Sequence, residues 1–125
     1  MLSQIKDLAE TLAPRLIEIR RHIHAHPELS GQEYQTAAYV AGVLSSCGIQ
    51  VQEAVGKTGV VGNLQGNDSD RRILAIRTDM DALPIQERTS LDFASRKPGI
   101  MHACGHDMHV TALLGALEQE LRERG

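Results

Sequence analysis

Leu2, Ile5, Leu8, Leu12, Leu16, Ile19 and Ile23 recur at steps of three and four, the spacing of one face of an α-helix. The pattern predicts a helix over residues 2–26. Pro14 falls inside it and is expected to kink or split it, since proline has no N–H to donate. His26-Pro27 closes the run, because the residue before a proline is pushed out of the α region. A second helix is expected over about residues 31–46, with Ala37, Val40, Ala41 and Leu44 as its buried stripe. Ser30 and Glu33 have the spacing of a capping box at its start, and Gly48 suits its end.

The period then changes. Ile49-Gln50-Val51-Gln52 alternates like a strand, and Val60-Val61-Gly62-Asn63-Leu64 is a second, weaker one. Gly66-Asn67-Asp68-Ser69-Asp70 reads as a turn. Ile73-Leu74-Ala75-Ile76 is continuously apolar, as in a strand buried on both faces. Residues 84–101 are loop-rich. From about Asp107 the helical period returns through Val110, Leu113, Leu114, Leu117 and Leu121, with Arg122 and Arg124 suited to the negative helix end. No internal repeat is visible. The order ααβββα predicts an α/β fold, a layered mixed sheet with flanking helices.

At 125 residues the chain is one domain in size. Its 42% hydrophobic and 23% charged residues are those of a globular protein, not a disordered one. A net charge of −3 argues against a nucleic-acid or anionic-membrane partner. Apolar runs are too short to span a bilayer, and the N-terminus lacks the basic and apolar regions of a secretory leader. Two cysteines, Cys47 and Cys104, make no disulfide framework. A cytoplasmic location is the expectation. Tyr34, Tyr39 and Phe93 are the only aromatic residues of that class, so the core must be aliphatic.

Chemistry concentrates in three places. His102-Ala103-Cys104-Gly105-His106-Asp107-Met108-His109 packs five potential metal ligands into eight residues. Thiolate and imidazole suit zinc, nickel, cobalt or iron better than magnesium or calcium. Alternating residues Cys104 and His106 can face one point, and Asp107 stands where a helix N-cap is needed. Asp79-Met80-Asp81-Ala82-Leu83-Pro84 puts two carboxylates at i and i+2, able to bind metal or to orient a ligand histidine. Arg20-Arg21-His22-Ile23-His24-Ala25-His26 reads better as a solvated helix end than as a metal site. Gly56-Lys57-Thr58 lacks the upstream glycine of a P-loop, since Val51 stands there.

Arg20 to Ser30, Asp79 to Ile85 and Met101 to His109, in that order, closely resemble the amidohydrolase branch of the aminoacylase/carboxypeptidase metallopeptidase superfamily. That branch includes hippurate hydrolase, auxin-conjugate hydrolases and N-acyl amino-acid amidohydrolases. The resemblance covers about Leu16 to Arg124. It implies that Cys104 and His106 are metal ligands. It matches Asp81 to the aspartate that orients the metal site. Asp79 stands where many relatives outside this branch carry a ligand histidine. Asp79 and Asp107 are further candidates for binding the metal or holding its ligands. The implied cofactor is one or two divalent ions of zinc, manganese, nickel or cobalt. The implied reaction is metal-dependent hydrolysis of the amide bond of N-acyl amino acids or small peptides.

Family enzymes are longer. They carry a Glu-Glu pair whose first member is the general base, further ligand histidines and an inserted lid domain that dimerises. None of these falls within residues 1–125. The expectation is therefore the N-terminal portion of a catalytic domain, inactive alone, and either homo-oligomeric or associated with the remaining enzyme segment. The alternative is a truncated, non-catalytic metal-binding fragment, or a domain completed by another chain.

Overall fold

The computed structural model of the chain describes residues 1–66 and 72–125. Three helices, α1 (Leu2–Ala25), α2 (Tyr34–Ser46) and α3 (His106–Arg124), are joined by two strands, β1 (Gln50–Val55) and β2 (Gly59–Asn63). The strands pair antiparallel, Gln50 opposite Asn63 and Gln52 opposite Val61. This is an α/β arrangement. The turn read at residues 66–70 lies, from Asn67 onward, outside the described residues.

α1 runs unbroken through Pro14. That residue is exposed, so the carbonyl its ring leaves without a partner, on Glu10, can be hydrated. The apolar stripe of α1 is covered only over its second half. Leu12, Ile19 and Ile23 are buried, whereas Leu2 and Ile5 stay exposed. Ile19 and Ile23 join Val40, Val43 and Leu44 of α2, Ile49, and Val110 and Leu114 of α3 in one aliphatic core. Gly115 lets α1 and α3 approach: a Cβ there would lie 2.4 Å from Leu16 Cδ2.

α2 begins at Tyr34, and the capping box expected from Ser30 and Glu33 does not form. Glu28 does that work from outside the helix. Its Oε1 accepts the Thr36 N–H at 2.6 Å and the Thr36 hydroxyl at 2.7 Å, and its Oε2 accepts the Gln35 N–H at 3.2 Å. These are backbone donors of the first turn, which lack helical partners. Glu33 instead accepts from the Thr58 hydroxyl at 2.7 Å, tying α2 to the hairpin. Gly56-Lys57-Thr58 is the hairpin turn, with φ of 59° at Gly56 and 93° at Lys57.

Ile73-Leu74-Ala75-Ile76 does not form the doubly buried strand its composition predicts. The segment joins no strand or bridge, and Ile73, Leu74 and Ile76 are 94%, 85% and 62% exposed. A strand is buried on both faces only when neighbours flank it and layers cover it. The described residues supply one hairpin, and it pairs with itself.

Downstream, isolated bridges replace sheet. Ala82 N–H donates to Glu28 O at 2.8 Å, giving a parallel bridge of Leu29 with Ala82. Leu83 and Met101 exchange both backbone bonds, at 2.9 and 3.0 Å, in an antiparallel bridge. These contacts join the end of α1, the Asp79–Pro84 segment and the approach to α3.

Candidate metal centre

The two bridges bring the three motif segments to one place. Asp81 directly precedes Ala82, and Met101 leads through His102–Gly105 into α3. Across this junction Asp81 Oδ1 lies 2.8 Å from His106 Nδ1, and the Asp81 carbonyl lies 3.1 Å from the same nitrogen. Both oxygens accept, so Nδ1 is the donor here, and Nε2 is the nitrogen left for a metal. Both side chains are about a quarter exposed. A carboxylate that fixes one ring nitrogen and leaves the other to a metal is the usual partner of a metal-ligating histidine.

Cys104, two residues earlier, is a free and exposed thiol. Thiol and imidazole suit a soft divalent ion, so the donor chemistry fits a metal with Cys104 and His106 as holders. Two donors fall short of the three protein ligands usual in catalytic zinc sites. Among the described residues no group of three His, Cys, Asp or Glu side chains converges as a cage.

The other candidates are placed differently. Asp79 is turned to Arg77, which donates to it at 3.0 and 3.3 Å on the surface. Asp107 is 1% exposed. Its Oδ2 accepts from Arg20 Nε at 3.0 Å and meets His24 Nδ1 at 2.8 Å, and its Oδ1 accepts the Met108 N–H at 2.9 Å. A carboxylate in the first turn of α3 also faces the positive end of the helix.

The Arg20–His26 pattern predicts a solvated helix end for His24. The structure buries it, with Nδ1 on Asp107 and Nε2 on Glu87 Oε1 at 3.0 Å. Phe93 closes this network: its ring meets His24 edge-on at 5.5 Å, and Arg20 lies 5.1 Å above it. Arg20 and His24 are i, i+4 on α1 and flank the Ile19/Ile23 stripe, a pattern present in the sequence. Glu87, in a loop without periodicity, carried no comparable signal. Burial acts to raise the Glu87 carboxyl. Hydrogen bonds from Thr89, from the Ser95 N–H and from His24 prevail and hold it below the ordinary range. His22 and His26 do lie at the helix surface, where His22 stacks on Tyr39 at 4.0 Å.

His102 is buried, and neither ring nitrogen has a hydrogen-bond partner among the described residues. Burial, with the neighbouring His24 and His106, outweighs the attraction of Asp107 and Asp81 and lowers its pKa.

Residues 75–123 match the model of peptidase family M20/M25/M40. This stretch contains both Asp81 and the Cys104–His106 pair. Over this stretch the chain is similar to the M20/M25/M40 peptidases. It is 75% identical over 112 residues to a probable hydrolase of Synechocystis, a match covering 90% of this chain and 28% of that protein. To the hippurate hydrolase of Campylobacter jejuni it is 53% identical over 97 residues, covering 78% and 25%. The crystal structure of Bacillus subtilis YXEP, described as a dinuclear metal-binding M20 peptidase, superposes with a TM-score of 0.85 at 42% identity, covering 92% of this chain and 32% of that one. The chain thus spans between a quarter and a third of the length of these three proteins. No helix among the described residues is long and apolar enough to cross a membrane.

Proposed function

We propose that these residues form the N-terminal, metal-binding portion of the catalytic domain of an amidohydrolase that cleaves N-acyl amino acids or small peptides. The observation that carries the reading is the junction of the three motif segments, where Asp81 orients His106, two residues after the free and exposed Cys104. Similarity to a hippurate hydrolase and to an M20 peptidase supports the reaction class.

In this reading Cys104 and His106 hold one or two divalent ions, of zinc, manganese, nickel or cobalt. Such an ion supplies Lewis-acid polarisation of an amide and activation of water. The residues of this chain contribute placement. Asp81 keeps the Nδ1 proton of His106 in place. The remaining ligands and the general-base glutamate lie outside residues 1–125. The enzyme works in the cytoplasm, on a small-molecule substrate, as a homo-oligomer or in association with its remaining segment.

The second reading is a truncated, non-catalytic metal-binding fragment, or a domain completed by another chain. The uncovered Ile73–Ile76 segment favours it. The test is hydrolysis of N-acetyl and N-benzoyl amino acids by the intact protein and by its Cys104→Ala and His106→Ala variants. The proposal expects turnover in the wild type and none in either variant. Full turnover in a variant overturns it.

A further inference from the structure

The Arg20–His26 stretch is the one motif that the metal reading leaves without a task. We infer that His24, with Arg20, is a positioning residue for the metal-ligand segment, acting through Asp107. The inference rests on the reading of Cys104 and His106 as metal ligands.

The geometry of the pair is specific. Asp107 follows His106 directly and opens α3, so a fixed Asp107 carboxylate fixes the backbone that carries both proposed ligands. That carboxylate has no freedom left. Oδ2 is shared by Arg20 Nε at 3.0 Å and His24 Nδ1 at 2.8 Å, and Oδ1 takes the Met108 N–H at 2.9 Å. His24 is fixed in turn, because Glu87 Oε1 meets its other nitrogen at 3.0 Å. Glu87 is itself held by the Thr89 hydroxyl and by the Ser95 N–H at 3.0 Å. The chain of contacts therefore runs from the 87–95 loop through α1 to the first turn of α3.

The 102–107 segment needs such an anchor. His102 is buried there with both ring nitrogens unpaired among the described residues, and burying an unsatisfied polar group is unfavourable. Its ring lies 6.3 Å from that of His24. Other forces must hold the segment against that cost. Next to it stands the His24–Asp107 pair, and the side chains of both are at most 3% exposed. Little solvent screens a pair so placed.

Two variants of His24 separate its two contacts. Asparagine places an amide near the position of Nδ1 and keeps the bond to Asp107. Glutamine reaches the position of Nε2 and keeps only the bond to Glu87. Affinity for Zn²⁺ is measured on the intact protein by competition with a chromophoric chelator, together with the melting temperature of each metal-free form. The inference predicts that His24→Gln binds about 10- to 100-fold more weakly, while His24→Asn stays near wild type. Equal affinity in both variants, or an equal loss that follows a drop in melting temperature, overturns it. Should His24→Asn not fold, Glu87→Gln serves in its place, since it leaves the bond to Asp107, and wild-type affinity is again expected. Weakening by Glu87→Gln as large as by His24→Gln overturns the inference. A wild-type protein whose Zn²⁺ affinity does not change in Cys104→Ser overturns the reading of the ligands instead, and this inference with it.

Discussion

His24 and Asp107 stand 83 residues apart in sequence, yet Nδ1 of one lies 2.8 Å from Oδ2 of the other in the buried interior. The pair ties the end of α1 to the start of α3. Asp107 Oδ2 also pairs with Arg20 at 3.0 Å, and breaking a buried ion pair costs about 3–5 kcal/mol. Asp107→Asn leaves both Arg20 and His24 facing a neutral amide. Urea unfolding of the metal-free protein is expected to show a loss of that size, and an unchanged midpoint would show that the pair contributes nothing net.

Asp81→Asn should behave differently. Asp81 and His106 are each about a quarter exposed, so the fold depends less on their contact. The variant is expected to keep its melting temperature without metal and to lose about 10- to 100-fold in metal affinity. Chelator competition checks this, and an unchanged affinity would reduce Asp81 to a strand-end cap.

Glu87 gives the chain an acid-sensitive element. Its carboxyl is held below the ordinary value of 4.5, so the folded state favours its ionised form. A depressed carboxylate contributes stability above its unfolded pKa, and that contribution is lost as pH falls through the folded value. Stability measured from pH 7 downward should therefore fall below about pH 4.5. In Glu87→Gln that limb should flatten and the stability at pH 7 should drop. An identical acid limb in the variant would contradict the assignment.

The exposed run Ile73-Leu74-Ala75-Ile76 makes a prediction about residues 1–125 taken alone. An exposed apolar run invites association with another chain. Sedimentation of the isolated 125-residue polypeptide should show self-association, reduced by Leu74→Lys with Ile76→Glu, and no hydrolysis of N-acyl amino acids. A clean monomer would mean that the run is covered from within the chain.

Much of the scaffold was legible in the sequence because helical periodicity reports burial of one face. α1, α2 and α3 lie close to where their stripes place them. The hairpin also forms where the period changes to two. The apolar run at 73–76 misled because composition records the burial of a strand in a complete sheet. It says nothing about whether its neighbours are present. The start of α2 was misplaced for a related reason. Its first-turn donors are met by Glu28, beyond the three-residue reach of a capping box. At the site, Cys104, His106 and Asp81 stood out by ligand chemistry and spacing. His24 did not, because its partners Asp107 and Glu87 are 83 and 63 residues away, a separation no local pattern encodes.

The central claim is that Cys104 and His106 hold a divalent metal. Cobalt loading of the intact protein tests it most directly, because a thiolate bound to Co²⁺ gives an intense near-ultraviolet charge-transfer band that an oxygen ligand does not. The account predicts this band in the wild type, its loss in Cys104→Ser and a weakened, shifted visible spectrum in His106→Ala. A cobalt-loaded wild type without the band, or a Cys104→Ser variant that keeps it, would contradict the account.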